Sequence, residues 1–161
     1  MLLAVFSDSH GRGAAMAAAV EQNKPDMVIF LGDGVRDAEA IRAAHPEIRF
    51  VILRGNCDHD YSYQADALLK LEGVGVFAVH GHDHGVKYGL DGFCNSVWCS
   101  GSTLGFYGHT HTPRWEEIRG MQIMNPGSIG SARHPTFGLV RIENGKADCR
   151  ILDAPDAEIG G

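Results

Sequence analysis

LLAVFSDSH, residues 2–10, is the stretch that decides the fold. Five apolar residues, Leu2 to Phe6, run without a polar break and stop at Ser7-Asp8-Ser9-His10. A short continuous apolar run bounded by polar residues reads as a strand buried on both faces. The pattern recurs along the chain. Met27 to Leu31 is followed by Gly32-Asp33-Gly34, and Phe50 to Leu53 by Arg54-Gly55-Asn56-Cys57-Asp58. Helix-like segments separate these runs. Gly11 to Asn23 is Ala-rich and ends at Lys24-Pro25. Val35 to Ala44 puts Val35, Ala38 and Ile41 on one face. It should stop before His45-Pro46, because a residue preceding proline resists the α region. A βαβαβ order with fully apolar strands marks a parallel sheet covered on both faces.

Beyond Asp58 the pattern changes. Leu68 to Leu71 and Val74 to Val79 flank Glu72-Gly73 and predict a hairpin or two neighbouring strands. Residues 91–103 are ambiguous, with a short helix the best reading, and Leu104 to Tyr107 is a brief strand. Trp115 to Ile118 and Met121 to Met124 flank Arg119-Gly120. Phe137 to Ile142 and Cys149 to Leu152 flank Glu143-Asn144-Gly145, and Asn-Gly is the strongest short hairpin signal. The reading is one mixed α/β domain over residues 1–161, built from two facing sheets, with residues 155–161 expected to fray.

Composition narrows the function classes. The 161 residues are 44% hydrophobic and 21% charged, within globular averages, so disorder is excluded as the main state. A formal net charge of −6 argues against broad nucleic-acid binding and against an anionic membrane surface. No apolar run is long enough for a membrane-spanning helix. The opening MLLAVFSDSH has neither the basic flank nor the apolar length of a signal peptide, so the expected compartment is the cytoplasm. Cys57, Cys94, Cys99 and Cys149 are irregularly spaced and are expected as free thiols. Edge strands in the β-rich last third leave a homo-oligomer open.

What ends each apolar run carries the chemistry. The run through Val79 ends in His80-Gly81-His82, and the strand to Tyr107 ends in Gly108-His109-Thr110-His111. Ligand sites of open α/β sheets lie outside the carboxyl ends of the strands. If these strands were parallel neighbours, Asp8, His10, Asp33, Asn56, His80, His109 and His111 would share one rim. A single tetrahedral ion needs four ligands. Seven suit two divalent ions sharing a carboxylate, with positions open for water and substrate. Oxygen and nitrogen donors without thiolate favour Mn, Fe, Zn or Ni over Ca or Mg, and Mn²⁺ is the expected ion. His109 and His111, at i and i+2, would point to one side of an extended segment. Each residue also has a plainer reading. Asp8 or Ser9 could cap the first helix, and Asp33 the second. His45, His59 and His134 follow no apolar run and read as ordinary surface residues.

In this order DSH, GD, GNCD, HGH, GHTH and then NPGS at Asn125 to Ser128 resembles the calcineurin-like metallophosphoesterase superfamily, and in particular its small bacterial and archaeal phosphodiesterase branch. The resemblance implies a four-layer αββα sandwich of two mixed β-sheets flanked by helices. It implies one ion on Asp8, His10, Asp33 and His111, the other on Asp33, Asn56, His80 and His109, with Asp33 bridging. It also implies hydrolysis of a small phosphodiester by a hydroxide bridging the ions, in line with the leaving group. Two relations on the same fold are the alternatives: a non-catalytic scaffold of the kind found in retromer, and a phosphomonoesterase.

Cys57 stands where many superfamily members carry the histidine that protonates the leaving group. A thiol with a reference pKa near 8.5 replaces imidazole poorly. Asn56, His82 and His84 are therefore the candidates for direct catalytic roles, with His82 or His84 as proton donor. Asp58 is a candidate to orient a ligating imidazole, or else caps a turn. Arg12 and Arg54 are candidates for phosphate contact, against structural roles. Asn125 to Ser128 is expected to form a turn that supports the rim. Trp98, Phe106 and Tyr107 are expected as core or pocket wall, with the segment Cys94 to Thr103 shaping a pocket or an interface.

Overall fold

A computed structural model describes residues 1–156, so most of the tail expected to fray lies outside the described residues. The elements are β1 (Leu2–Phe6), α1 (Ala14–Asn23), β2 (Met27–Phe30), α2 (Val35–Ala44), β3 (Arg49–Ile52), β4 (Asp66–Leu71), β5 (Val74–Val79), a 3₁₀ turn (His82–His84), α3 (Asp91–Cys99), β6 (Leu104–Phe106), β7 (Arg114–Ile118), β8 (Met121–Asn125), β9 (Thr136–Glu143) and β10 (Lys146–Asp153). All three predicted hairpins form in register: Leu71 opposite Val74, Ile118 opposite Met121, and Glu143 opposite Lys146. The ambiguous 91–103 segment resolves into α3. The first helix begins at Ala14, three residues later than its Ala-rich composition suggested, because Ser9 to Arg12 closes as a turn.

The strands form two five-stranded mixed sheets, β10-β9-β1-β2-β3 and β4-β5-β6-β8-β7. The five strand ends are therefore not neighbours in one parallel sheet. β1, β2 and β3 run parallel in the first sheet, and β5, β6 and β8 run parallel in the second.

Alternation explains the layers. In β1, Leu3 and Val5 face the second sheet, where Val76, Ala78, Leu104, Phe106 and Met124 meet them. Ala4 and Phe6 point the other way, onto Met16 and Val20 of α1. On the far side Phe93 and Val97 of α3 cover Val79 and Ile123. The order is helix, sheet, sheet, helix, as expected. Every strand of β1 and β2 is buried on both faces, which is why neither shows a polar alternation. Each buried Phe or Leu contributes about 1.5–3 kcal/mol by leaving water. No helix among the described residues is long and apolar enough to cross a membrane.

Candidate metal centre

The loops after β1 and β2 are tied by backbone bonds from Asp8 N–H to the Gly32 carbonyl (2.9 Å) and from His10 N–H to the Asp33 carbonyl (3.0 Å). Across the sandwich, His80 Nδ1 lies 3.0 Å from the Leu31 carbonyl and Gly108 N–H donates to the His80 carbonyl at 2.8 Å. These bonds bring both sheets' strand ends to one rim. The backbone there is strained. Asp8, His10, Asp33, His109 and His111 all have positive φ, between 46° and 70°. Left-handed conformations of residues other than glycine cost on the order of 1–3 kcal/mol and gather at functional sites.

All seven predicted ligands meet. Asp8 Oδ1 lies 3.5 Å from His10 Nε2 and 3.3 Å from His111 Nε2. Asp33 Oδ2 lies 3.7 Å from His10 Nε2 and 3.3 Å from His80 Nε2. Asn56 Oδ1 is 3.0 Å from His80 Nε2, and the His109 ring centroid is 5.1 Å from that of His80. Three sets have donor atoms within 4.8 Å of one another: Asp8, His10 and His111; Asp33, His80 and His109; and His10, Asp33 and Cys57. Asp33 belongs to two of them. His109 and His111 do not lie on the extended segment that a two-residue period assumes. Both residues are left-handed, so the loop turns between them and each joins a different set.

One atom tests whether a cation fits. Asp8 Oδ1 is buried and has no hydrogen-bond donor among the described residues, while Asp8 Oδ2 accepts from Ser7 Oγ (2.5 Å) and His109 N–H (3.1 Å). A buried ionised oxygen without a partner is costly. Imidazole nitrogens at 3.3–3.8 Å surround it without bonding it, which is the arrangement a shared cation would complete. The protein's own charges already lean that way. Burial works against the Asp33 carboxylate, but the His80 hydrogen bond and charge, the Cys57 N–H (2.8 Å) and the His10 charge outweigh it and hold Asp33 well below the usual carboxylate range. Burial likewise opposes charge on His80, yet Asp33 and Asp8 raise its pKa. Burial and the His80 charge push His109 down, toward the neutral ligand form. The Leu31 carbonyl accepts from His80 Nδ1–H, so Nε2 is the nitrogen turned toward Asn56 and Asp33.

The profile of the calcineurin-like phosphoesterase superfamily domain matches residues 1–145. The chain belongs to that superfamily. It is 27% identical over 165 residues to the probable metallophosphoesterase YsnB of Bacillus subtilis, covering 99% of this chain and 95% of that protein. Its fold is similar to that of an archaeal phosphodiesterase (20% identity, 94% of this chain and 100% of the other, TM-score 0.71). It is also similar to Vps29 from Entamoeba histolytica, solved as a zinc complex (18% identity, 95% and 99%, TM-score 0.77).

In this phosphoesterase the residues around the donor set have mostly supporting roles. Asp58 orients no imidazole. Its carboxylate accepts the backbone N–H groups of Asp33, Gly34, Val35 and Gly55 at 2.7–3.1 Å, so it caps α2 from another loop and holds Asp33 by its main chain. Neither Asp8, Ser9 nor Asp33 caps a helix; the residue before α1 is Gly13 and that before α2 is Gly34. Asp37, which the sequence did not single out, accepts from Ser9 Oγ (2.6 Å) and Gly11 N–H (2.9 Å) and fixes the Asp8–His10 loop. The Asn125–Ser128 turn supports the rim as expected. Asn125 Nδ2 donates to the Gly108 carbonyl and Thr110 Oγ1, and Ser128 Oγ to the Asp8 carbonyl. At Gly108 a Cβ would run into Ser7 Oγ and Asp8, and at Gly55 into Asp33.

Arg54 is already engaged. It donates to the Tyr63 carbonyl (2.8 Å) and lies over the Tyr61 ring at 5.1 Å. Arg12 is exposed. His82 stands beside the cluster, its ring 5.5 Å from His80 and 6.2 Å from His109. His84 turns away, packing edge-on against Phe77 and Phe93. Phe106 and Tyr107 are buried, but Trp98 is neither core nor pocket wall. It is 58% exposed on α3 with the Arg119 guanidinium over its ring. All four cysteines are free thiols.

A cleft of about 840 Å³ opens from His10, Asp33 and Cys57 toward His59, Tyr61 and Tyr63. His59 reads from the sequence as an ordinary surface residue, and neither tyrosine carries a motif. The one available signal was position: residues 59–63 directly follow the GNCD motif and carry two aromatics in a polar loop.

Proposed function

We propose that the chain is a metal-dependent phosphodiesterase that uses two divalent ions, with Mn²⁺ the expected pair and Fe, Zn or Ni compatible, to hydrolyse a small phosphodiester. The observation that carries this reading is the orphaned Asp8 Oδ1, with the imidazoles of His10, His80 and His111 at 3.3–3.8 Å. Divalent cations there would supply acidified water and positive charge for phosphoryl transfer. Asp8, His10, Asp33 and His111 would hold one ion, and Asp33, Asn56, His80 and His109 the other, with Asp33 shared. Two carboxylates do not neutralise two divalent ions, so the rim stays positive and attracts an anionic ester.

The remaining steps fall to residues beside the rim. Asn56, bonded to His80, orients the phosphoryl oxygens. His82, its ring 5.5 Å from that of His80, protonates the leaving group, a role His84 cannot reach from the Phe77–Phe93 pocket. The cleft past Cys57 receives one ester substituent against Tyr61 and Tyr63.

A generic aryl phosphodiester with added Mn²⁺ tests the proposal. Turnover should exceed that of His109→Ala by at least about 10²-fold; equal rates would sink the enzyme reading in favour of a scaffold, a role that the Vps29 fold likeness and the missing GNH histidine support. Comparing mono- and diester rates on one preparation settles the ester class. Cys57→His should preserve or raise the rate if a proton donor is in short supply.

A further inference from the structure

A second cleft, of about 520 Å³, opens beside β7 and shares no lining residue with the cleft past Cys57. Thr110 lines it and lies between His109 and His111, so this cleft starts at the same rim. Its polar groups are mostly unspent. Tyr107 is only 3% exposed and lines the cleft, yet its hydroxyl donates to no acceptor among the described residues. A buried hydroxyl left in that state is costly unless something in the cleft meets it. Thr110 Oγ1 accepts from Asn125 Nδ2 (2.9 Å) and from Thr112 N–H (3.2 Å), so both lone pairs are used and its proton is left to give. Lys87 lines the cleft and forms no ion pair among the described residues. Arg114 is held by Glu116, with Nε 2.7 Å from Oε1 and Nη2 3.3 Å from Oε2, which occupies the carboxylate that lines the cleft. What remains is a wall of donors with one positive charge in excess, on a chain whose net charge is −6.

We propose that this cleft is a subsite for an anionic ester substituent, one that carries a phosphate or carboxylate of its own, with Lys87, Tyr107 and Thr110 as its contacts. The proposal rests on the phosphodiesterase reading above and narrows it. One substituent of the diester enters the cleft past Cys57, and the other enters here. An anion accepts from the ammonium, the phenol and the threonine hydroxyl together, and bonds to a charged group are shorter and stronger than neutral ones. An uncharged alkyl substituent leaves all three donors unmet.

Three phosphodiesters with the same p-nitrophenyl leaving group test this, with carboxypropyl, phosphopropyl or butyl as the second substituent. With Mn²⁺, the wild type should turn over a charged ester with kcat/KM about 10–100-fold above the butyl ester, mainly through KM. The better of the two charged esters names the anion. Lys87→Met and Tyr107→Phe should each cut that preference roughly tenfold. Lys70→Met, at an exposed lysine on β4, should keep it. Lys87 is exposed, so Lys87→Met carries the test even if Tyr107→Phe is unstable. Equal rates on all three esters, or a preference that survives Lys87→Met, would overturn the subsite and leave the phosphodiesterase standing. No turnover of any of the three would overturn the phosphodiesterase reading and the subsite with it.

Discussion

The two ends of the sandwich solve the same backbone problem in opposite ways. At one end lie the hairpin turns Glu72-Gly73, Arg119-Gly120 and Asn144-Gly145, each with both residues at positive φ. These are two-residue turns whose left-handed pair matches the strand twist, and glycine in the second place bears half the strain at no steric cost. At the other end Asp8, His10, Asp33, His109 and His111 are left-handed without glycine's exemption. Lys24, which closes α1, completes the non-glycine set among the described residues. Strain at the turns is local and is offset by adjacent strand pairing. Strain at the rim is held by bonds between distant segments, such as His109 N–H to Asp8 Oδ2 and Ser128 Oγ to the Asp8 carbonyl. One end turns the chain; the other aims side chains at a common point.

The rim depends most on Asp33. Asp33→Ala should release both ions and lower turnover at least about a thousandfold, ~4 kcal/mol of transition-state stabilisation. Elemental analysis showing full Mn²⁺ occupancy in the variant would contradict the shared role. Glycine substitutions then sharpen the contrast. Gly108→Ala drives a methyl into Ser7 and Asp8, and should lower stability by about 1–3 kcal/mol and weaken metal binding with it. Gly145→Ala meets open space but keeps a positive φ, so it should cost about 1–2 kcal/mol and leave metal affinity alone. Denaturant melts paired with metal titration check both; a metal defect in Gly145→Ala would erase the distinction between the ends.

The smallest effect concerns pH in the metal-free protein. Asp33 and Asp8 raise the His80 pKa against the opposing effect of burial. Its proton is therefore held more tightly folded than unfolded. That contribution is complete below the ordinary histidine value near 6.5 and fades as pH rises through the raised value. Asp33, held low, contributes across the same window and loses its share only in acid. Melting of metal-free wild type should therefore decline gently above neutral pH, and His80→Asn should flatten that decline. Metal, which displaces the proton, should bind more tightly over the same rise.

Sequence neighbours alone place part of the rim. Asp8, Asp33 and His80 end apolar strands, and strand ends face the rim. Asp58 was legible as the cap of a turn, and it does accept the Gly55 N–H, but its cap on α2 was not, because those N–H groups belong to a loop 23–25 residues away. His109 and His111 each join a donor set, but on left-handed backbone rather than the extended segment that a two-residue period assumes. Trp98 looked like core by hydrophobicity alone, yet α3 presents Phe93, Cys94 and Val97 to the sheet instead.

Local order was decided by the sequence itself. The βαβαβ start, the X-Gly hairpins and the polar cap on each apolar run follow from periods of two and 3.6 residues, which near neighbours specify. Tertiary structure alone decided which strand ends each sheet contributes, that Asp8 keeps one oxygen unbonded, and that a cleft opens past Cys57 toward Tyr61 and Tyr63. Those facts depend on contacts such as that between His109 and Asp8, 101 residues apart, and no local pattern encodes the packing angle that brings such residues together.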